Sequence, residues 1–327
     1  MKIGFILLAH NEPAAIRRLV DILAGAGHSV AIHFDASSPA EEREAVSLLE
    51  MSYPGLVRVT SKIHCKWGEW SLVEATLLML RIFEKMPDKP DFIHLMSGAD
   101  FPIRPIADMQ EFLRRHPDQD YVESYDITKK CWVKGGLSME RFQFFFPVNF
   151  RSSRKTFNRL VGLQRTFGIR RKIPLALTPH MGSQWWTLRW STCQKILEFI
   201  DKNPRVVRYF RSTWIPDESF FPTLIGYLIP RSEISNIQLL LHHFTPIGRP
   251  YIIYQDHIPL VCKIPHFFIR KVTPSAREAV WEAARHRKSP IPHPRDLARV
   301  HHLLSTAIDK NYELTDSMPG YIGASDS

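Results

Sequence analysis

Apolar and polar residues alternate along the first part of the chain in blocks that predict strands followed by helices. The run 2–9 predicts a buried strand, and Pro13 stands where the first turn of the next helix would begin. The alternation continues with predicted strands at 28–34, 56–60, 92–96 and 121–123, and with predicted helices at 40–49, 70–85 and 106–115. Such alternation predicts an α/β fold with a mixed, mainly parallel sheet flanked by helices.

Polar residues stand just after several of these predicted strands. His10 follows the first strand, Asp35 follows the second, and the turn 97–100 carries Asp100 after the fourth. The carboxyl ends of parallel strands meet at one edge of a sheet, and ligands of open α/β folds bind there. The first part of the chain therefore predicts a nucleotide-binding cleft.

The second part of the chain is less regular. Its predicted elements are a strand at 183–188, helices at 191–201 and 220–228, and two helices after residue 273 that a proline-rich link at 289–294 separates. Between two of these helices, Asp217 and Glu218 stand between Pro216 and the aromatic pair 220–221. A carboxylate among aromatic side chains is partly desolvated, which raises its pKa and suits it to accept a proton.

The same acidic pair would also suit the N-terminus of the following helix, because carboxylates favour that position. Taken together with the predicted nucleotide cleft, the pair is interpreted as catalytic. It suggests an enzyme that removes a proton from a hydroxyl so that the oxygen can attack.

Composition sets outer limits on this interpretation. A chain of 327 residues with 44% hydrophobic residues is long enough for one large α/β domain or two small ones. The apolar run 2–9 is too short for a membrane span or a signal peptide, so we expect a cytoplasmic protein. The four cysteines, Cys65, Cys131, Cys193 and Cys262, are scattered without C-x-x-C spacing, which favours reduced thiols over a structural zinc site.

The net charge of +10 is concentrated in the middle of the chain. The basic residues there are Arg151, Arg154, Lys155, Arg159, Arg165, Arg170, Arg171 and Lys172. They would suit a solvated face or a mobile loop, an anionic acceptor, or peripheral contact with an anionic membrane surface. A nucleic-acid partner is not expected, because the basic block stands outside any RNP, zinc-finger or helix-turn-helix pattern.

A series of short motifs follows one another along residues 2–272. They are Ala9-His10-Asn11, Ile32-His33-Phe34-Asp35, Trp67-Gly68-Glu69-Trp70-Ser71-Leu72-Val73, Ser97-Gly98-Ala99-Asp100-Phe101-Pro102-Ile103, Gly182-Ser183-Gln184-Trp185-Trp186, Pro216-Asp217-Glu218 and Phe267-Phe268-Ile269-Arg270-Lys271. In this order they resemble glycosyltransferase family 14, the branching β-1,6-N-acetylglucosaminyltransferases and peptide O-xylosyltransferases, and particularly its short bacterial members. The resemblance implies a GT-A-type, Rossmann-like fold and inverting transfer from a UDP-sugar without a bound metal ion.

The resemblance also implies a domain organisation. A glycosyltransferase domain would cover 1–272, with a nucleotide-sugar-binding half at 1–125 and an acceptor and catalytic half at 126–272. A helical C-terminal extension and tail would cover 273–327.

Residue roles follow from the resemblance in the same way. Glu218 matches the catalytic base, Lys271 matches the diphosphate-binding lysine, and Arg270 beside it is a second cation for that phosphate. Asp35 resembles the residue that contacts the uridine, with His10 next to it, and Asp100 completes the donor side. The segment 67–71 would close over the donor, or would cap the following helix with packed tryptophans.

One position departs from the family pattern. The family has an arginine as second diphosphate ligand, whereas this chain has His242 and His243, with Arg249 a few residues later. Either a histidine or Arg249 would supply that charge. Acceptor contacts are expected from Trp185, Trp186, Asp217 and Arg141.

No metal ion and no cofactor are expected. The turn Asp118-Gln119-Asp120 precedes the strand predicted at 121–123 and so lies at the wrong edge of the sheet for a metal-binding turn. Asp100 alone would make a poor magnesium or manganese site.

The expected function is transfer of N-acetylglucosamine from a UDP-sugar to a glycan hydroxyl. Transfer from UDP-xylose is the alternative within enzymes, and a non-catalytic protein that binds a sugar nucleotide or a polysaccharide is the alternative from another class. The expected acceptor is a glycan or a lipid-linked glycan, reached from the cytoplasmic face of a membrane.

Overall fold

The computed structural model of the chain describes residues 1–129, 132, 137–242 and 250–300. These residues form two compact units. Unit 1 consists of Met1–Gly98 and Leu113–Gln238, and unit 2 consists of Ala99–Phe112 together with the chain from Leu239 onwards. The division expected at residue 272 stays a prediction.

Strands and helices alternate along the described residues. The strands are β1 (Ile3–Ala9), β2 (Ser29–Phe34), β3 (Val57–Thr60), β4 (Phe92–Ser97), β5 (Phe101–Pro102), β6 (Tyr125–Asp126), β7 (His180–Met181), β8 (Thr187–Arg189), β9 (Leu240–His242) and β10 (Phe268–Arg270). The helices are α1 (Pro13–Gly25), α2 (Ala40–Ser47), α3 (Leu49–Ser52), α4 (Ser71–Lys85), α5 (Ile106–Arg115), α6 (Glu140–Gln143), α7 (Arg154–Thr166), α8 (Trp190–Lys202), α9 (Pro204–Phe210), α10 (Phe220–Leu228), α11 (Ile258–Val261) and α12 (Arg277–Arg285).

The central sheet of unit 1 has the strand order β3-β2-β1-β4-β8. Its first four strands are parallel, and β8 runs antiparallel to β4. Every residue of β1 and β2 is buried, because helices cover both faces of the sheet and leave no solvent-facing side. The predicted α/β class, with a mixed and mainly parallel sheet flanked by helices, is confirmed.

Two predicted strands differ from the structure. The strand predicted at 121–123 is reduced to isolated bridges, in which Asp120 pairs with Ile234 and Tyr121 pairs with Thr187. The strand predicted at 183–188 begins only at Thr187; at its predicted start the Ser183 N–H donates to the Glu123 side chain at 3.1 Å instead of to a neighbouring strand.

Unit 2 contains a small sheet with the order β5-β10-β9. β10 is parallel to β9 and antiparallel to β5, and this pairing sets Arg270 opposite His242. Phe112 packs on Phe267 with ring centroids 5.2 Å apart. In the predicted C-terminal extension, α12 is present and residues 294–300 are again helical.

None of the helices described in either unit combines the length and the apolar character needed to cross a bilayer. Of the four cysteines, Cys65, Cys193 and Cys262 are free thiols. Cys131 lies outside the described residues, as do His243 and Arg249.

Candidate active site

His10 and Asp35 come together at the carboxyl ends of β1 and β2. The Asp35 N–H donates to the Ala9 carbonyl at 2.8 Å, and the Ser38 hydroxyl donates to the His10 carbonyl at 2.6 Å. His10 is exposed, whereas Asp35 is 4% exposed. The two adjacent strands therefore bring these residues to one edge of the sheet, as the sequence predicts.

The Asp35 carboxylate organises the loops around it. It accepts hydrogen bonds from the Ser37 N–H at 2.7 Å and from the Cys65 N–H at 2.9 Å. Burial on its own would raise the pKa of Asp35, but these hydrogen bonds outweigh burial and lower it. Asp35 is therefore a fixed anion at the sheet edge, and it ties two loops to the end of β2.

The loop 66–70, which leads into α4, packs against the segment 214–218. The Gly68 carbonyl accepts a hydrogen bond from the Ile215 N–H at 3.1 Å, and the Trp70 ring meets the Phe220 ring edge to face at 5.1 Å. Trp70 is buried, whereas Trp67 is 40% exposed and stacks against the Arg151 guanidinium. One tryptophan of this loop thus serves packing, while the other faces solvent.

Glu218 ends a 3₁₀ turn, Pro216–Glu218, that leads into α10. Its Oε2 atom lies 2.6 Å from Arg141 Nη1, and its side chain keeps 29% of its surface exposed. The Arg141 side chain is 9% exposed and is held from behind, because its Nε donates to the Leu137 carbonyl and its guanidinium lies 5.0 Å from the Trp214 ring centre. The structure thus brings together the predicted base and the predicted acceptor contact in the middle of the chain.

Asp217 points inward from the same turn and is 7% exposed. Burial, reinforced by the negative charge of Glu218, raises the pKa of Asp217 to about 7. Its Oδ1 atom is buried and accepts no hydrogen bond within the described residues. Of the two adjacent carboxyls, Asp217 is therefore the one placed in the apolar surroundings that the sequence indicates, while Glu218 reaches solvent.

Glu123 is a further carboxyl at this place that the sequence analysis missed. Its Oε2 accepts a hydrogen bond from the Ser183 N–H at 3.1 Å. Burial raises the pKa of Glu123, hydrogen bonds lower it in part, and the nearby charge of Glu218 raises it further. Its position at the end of the segment predicted as a strand at 121–123 is a signal that would have indicated it, because side chains at strand ends line ligand sites in such folds.

Gly182 allows two backbone segments of this cluster to approach closely. Its N–H donates to the Glu218 carbonyl at 3.0 Å. A Cβ atom at residue 182 would lie only 1.9 Å from the Glu123 carbonyl oxygen. Only glycine permits this approach, so Gly182 fixes the Glu123 segment next to the Glu218 turn.

Trp185 and Trp186 follow directly and are both buried, with 9% and 2% of their surfaces exposed. Trp186 packs on Phe221 with ring centroids 5.3 Å apart. Their expected acceptor contacts stay a prediction, since both rings contribute to the interior around the acidic cluster.

In unit 2, four of the expected donor-side residues lie around the end of β10. Arg270 Nη1 lies 3.4 Å from the fully buried Asp100 carboxylate, and His242 is the register partner of Arg270. The Val272 N–H donates to the Ala99 carbonyl, which holds the turn with Asp100 beside β10. Burial lowers the pKa of Arg270, and Asp100 opposes that shift. Lys271 is half-buried. Its N–H donates to the Tyr251 carbonyl, and its carbonyl accepts a hydrogen bond from the Ile253 N–H.

The acidic turn Asp118-Gln119-Asp120 has a different role. Asp120 is fully buried and accepts hydrogen bonds from the Arg189 N–H at 2.8 Å and from the Thr192 hydroxyl at 2.7 Å. Asp118 is exposed. Across the described ranges, His, Cys, Asp and Glu side chains do not gather into a group of three or more that could hold a metal ion.

The arrangement in unit 1 supports proton transfer. Glu218 is a half-exposed carboxylate held by one guanidinium, and two carboxyls with raised pKa values, the buried Asp217 and the partly buried Glu123, lie next to it. Such a site can accept a proton through Glu218 while the other two carboxyls take part in hydrogen bonds.

Comparison with known proteins matches the chain to one family and to several similar proteins. The family model described as "Branch: Core-2/I-Branching enzyme" matches residues 3–245. Xylosyltransferase 1 of Canis lupus familiaris is 26% identical over 234 residues, which cover 69% of this chain and 22% of that protein. Xylosyltransferase 2 of Homo sapiens is 27% identical over 232 residues, which cover 69% of this chain and 24% of that protein. The chain spans about a quarter of the length of these relatives.

Solved structures give weaker similarities. Mouse xyloside xylosyltransferase 1, in its apo form, superposes with a TM-score of 0.29 at 11% identity, covering 70% of this chain and 83% of that one. The 4-diphosphocytidyl-2C-methyl-D-erythritol synthase of Anaerococcus prevotii superposes with a TM-score of 0.34 at 7% identity, covering 71% of this chain and 85% of that one.

Proposed function

The chain belongs to the Core-2/I-branching enzyme family, and on this premise we propose that it is an inverting glycosyltransferase that moves a sugar from a UDP-sugar to a glycan hydroxyl. The observation that carries the proposal is the Glu218–Arg141 pair. The buried Arg141 guanidinium holds one oxygen of Glu218 at 2.6 Å and so positions the carboxylate. Because 29% of the Glu218 side chain is exposed, a substrate can still reach it.

The proposed reaction is a single displacement. Glu218 takes the proton of an acceptor hydroxyl through Oε1, because Oε2 is held by Arg141. The acceptor oxygen forms a bond to the anomeric carbon as the bond from that carbon to the UDP oxygen breaks. The electron pair of the broken bond leaves on the β-phosphate of UDP, and the new bond forms on the opposite face of the sugar.

The acidic neighbours have proposed supporting roles. The pKa of Asp217 is raised to about 7, so this carboxyl can hold a proton near neutral pH and donate a hydrogen bond to a sugar hydroxyl or to Glu218. Burial raises the pKa of Glu123 as well. A negative charge beside Glu218 would hold the transferred proton on Glu218 more tightly, and a protonated Asp217 removes that charge. Asp217 and Glu123 therefore belong to the acceptor side of the proposed site.

For unit 1 we propose that His10 and Asp35, at the carboxyl ends of β1 and β2, contact the nucleotide of the donor. Arg270 and Lys271 supply fixed positive charge for the leaving diphosphate, and the buried Asp100 carboxylate positions Arg270 at 3.4 Å. Preorganised charge of this kind contributes about 3 kcal/mol per donor in well-studied enzymes. We therefore propose that the reaction runs without a metal ion.

The donor sugar has two candidates. N-acetylglucosamine is the sugar that the resemblance to the branching β-1,6-N-acetylglucosaminyltransferases implies. Xylose is favoured by the matched relatives, which are xylosyltransferases. For the acceptor we propose a glycan or lipid-linked glycan, used by an enzyme that works in the cytoplasm at the membrane surface.

A donor panel tests the proposal. Release of UDP from UDP-N-acetylglucosamine, UDP-xylose and other UDP-sugars is measured with and without EDTA, for the intact chain and for Glu218→Gln. We expect turnover with one of the two named donors, no effect of EDTA, and a loss of about a hundredfold or more in Glu218→Gln. Glu198→Gln, at an exposed ion pair with Lys202 on α8, is the matched control and should keep full turnover.

Each part of the proposal fails separately. Turnover abolished by EDTA would refute the metal-free reaction. Undiminished turnover of Glu218→Gln would show that Glu218 is not the catalytic base. Tight UDP binding without turnover of any donor would instead support a non-catalytic protein of the same family.

A further inference from the structure

Unit 1 exposes a set of large apolar side chains next to α7. They are Phe145, Leu163, Phe167 and Ile169, with exposed fractions of 48%, 43%, 71% and 44%. Large apolar groups that are grouped in this way, rather than scattered singly, mark interaction surfaces. None of them takes part in the proposed reaction.

Hydrogen bonds hold these residues together on one surface. The buried Gln164 side chain accepts a hydrogen bond from the Phe145 N–H at 2.8 Å and donates one to the Phe145 carbonyl at 3.0 Å. The Gln164 carbonyl accepts a hydrogen bond from the Ile169 N–H at 3.0 Å. Phe145, 19 positions before Gln164 in the sequence, is therefore held beside the end of α7, close to Leu163 and Ile169.

The end of α7 has a defined geometry that turns the chain back at this place. Phe167 is the C-cap residue, and Gly168 after it has a φ of 64°. The Gly168 N–H bonds to the Arg165 carbonyl and the Ile169 N–H to the Gln164 carbonyl, which is the Schellman pattern. All residues from Arg165 to Arg170 are exposed, so this turn projects Phe167 and Ile169 into solvent.

Arg171 fixes the chain directly below these exposed residues. It is buried, and its guanidinium donates to the carbonyls of Phe142, Tyr209 and Arg141 and to the hydroxyls of Ser212 and Thr213. The exposed apolar residues are thus carried by a well-bonded support rather than by a loose loop.

The same surface is strongly basic. Between Glu140 and Glu198 the sequence contains no acidic residue. Lys155, Arg159 and Leu163 follow one another at intervals of four residues, and Phe167 continues the series at the helix end. Residues at that spacing lie on one helix face, so the positive charges and the apolar end of α7 share a face.

We propose that this surface, consisting of Phe145, Leu163, Phe167 and Ile169 with Lys155 and Arg159 and named here the α7 surface, docks on an anionic lipid bilayer. Apolar side chains enter the boundary between head groups and acyl chains while basic residues contact anionic head groups, and neither kind of contact suffices alone. Charge complementarity selects this occupant. A second copy of the chain would bring its own positive charges against these, and a soluble polyanion would leave the four apolar side chains in water.

Hydrogen bonds connect the α7 surface to the proposed base. Arg171 donates to the carbonyl of Arg141, the residue that holds Glu218. The proposal itself is independent of the transferase reaction, because it concerns only the surface of unit 1 and is measured without substrate.

Vesicle flotation tests the proposal with the full chain. Vesicles of phosphatidylcholine are compared with vesicles of phosphatidylcholine and phosphatidylglycerol, at low and at moderate salt. We expect binding to the anionic vesicles that weakens as salt rises, and little binding to the neutral ones.

Two paired variants separate the two kinds of contact. Lys155→Ala with Arg159→Ala should weaken binding about 25-fold, since each basic residue near an anionic surface contributes about fivefold. Phe167→Ser with Ile169→Ser should weaken binding by about tenfold or more. The controls are Lys195→Ala with Arg205→Ala, at exposed basic positions elsewhere in unit 1, and Met51→Ser, at a methionine that is 78% exposed. Circular dichroism establishes that each variant is folded.

Several results would overturn the proposal. Binding that the α7 variants leave unchanged, or binding to neutral vesicles as strong as to anionic ones, would refute it. Retention on heparin without vesicle binding would assign the charge to soluble polyanions. A dimer that Phe167→Ser with Ile169→Ser dissociates, in a chain that does not bind vesicles, would assign the surface to a second copy.

Discussion

Arg141 and Glu218 form an ion pair with 2.6 Å between Nη1 and Oε2, and the two residues belong to segments 77 positions apart in the sequence. The arginine is the more buried partner and has further contacts to Leu137 and Trp214. Its position is thus set by the surrounding structure, and the glutamate is positioned by the arginine. The pair is therefore expected to control where the proposed base points.

We expect Arg141→Met to lower kcat/KM by about tenfold to hundredfold, because a hydrogen bond to a charged group contributes about 1.5–3 kcal/mol. Arg141→Lys should restore little of this loss, since an ammonium cannot donate to Leu137 and Glu218 with the same geometry. Initial rates across donor concentrations give the measurement. Arg205→Met, at an exposed arginine of α9, is the control. Full activity of Arg141→Met would show that Glu218 needs no partner.

Asp217 predicts a pH dependence of stability. Its pKa rises from the ordinary 3.8 to about 7 in the folded chain, first through burial and then through the charge of Glu218. Between these values the unfolded chain releases the proton and the folded chain keeps it, so ionisation favours unfolding as pH rises. The wild type therefore loses stability between about pH 4 and about pH 7, on the order of a few kcal/mol.

Asp217→Asn removes this penalty. We expect its Tm to exceed that of the wild type by several degrees near pH 8 and the two values to converge near pH 4. Thermal unfolding across this pH range gives the measurement. Asp118→Asn, at an exposed carboxylate of unit 1, should follow the wild type throughout. A constant difference between Asp217→Asn and the wild type at every pH would contradict the assigned shift.

Gly182→Ala tests the close approach beside Glu123. The added methyl would meet the Glu123 carbonyl oxygen at 1.9 Å, so one of the two segments must move. We expect a lower Tm and a large loss of kcat, because the Gly182 N–H also holds the Glu218 carbonyl. Gly162→Ala is the matched control: open space surrounds it in α7, and it should raise stability by about 1 kcal/mol. Near-normal turnover of Gly182→Ala would show that the segment relaxes without disturbing the site.

Lys271→Ala tests the donor side. We expect a KM for the UDP-sugar that is about tenfold to hundredfold higher and a weaker dependence of UDP binding on salt, because one fixed positive charge is lost. Initial rates across donor concentrations give the KM, and calorimetric titration with UDP at two salt concentrations gives the salt dependence of UDP binding. Lys263→Ala, at an exposed lysine of unit 2, is the control and should change neither. Equal UDP affinity of Lys271→Ala and the wild type would remove Lys271 from the donor site.

The sequence predicts those parts of the molecule whose signal is local. The apolar runs of β1 and β2 are continuous because both sheet faces are covered, and His10 and Asp35 follow from the strand ends. The position of β8 was harder to predict, because a strand of three residues depends on its partner β4 rather than on its own pattern. For the same reason Tyr121 forms only an isolated bridge.

The acidic cluster shows why the remainder of the site was not predictable. Asp217 and Glu218 are equivalent neighbours in the sequence, and only the 3₁₀ turn makes one point inward and the other outward. Glu123 is brought to them by Ser183 and Gly182, and by their contacts with the Glu218 turn. The pKa values of Asp217 and Glu123 depend on contacts between segments that are distant in sequence, so a local sequence pattern cannot predict them.

Arg171 shows how little a count of charges says about individual members of a basic run. All five of its N–H groups are used on the carbonyls of Arg141, Phe142 and Tyr209 and on the hydroxyls of Ser212 and Thr213. Lysine, with three donors on a single atom, cannot replace that planar set. Lys172 is exposed, whereas Arg170, although exposed, lies 4.4 Å from the Phe144 ring centre and donates to the Ile169 carbonyl. A substitution that preserves the net charge is therefore expected to be harmless at Lys172 and disruptive at Arg171.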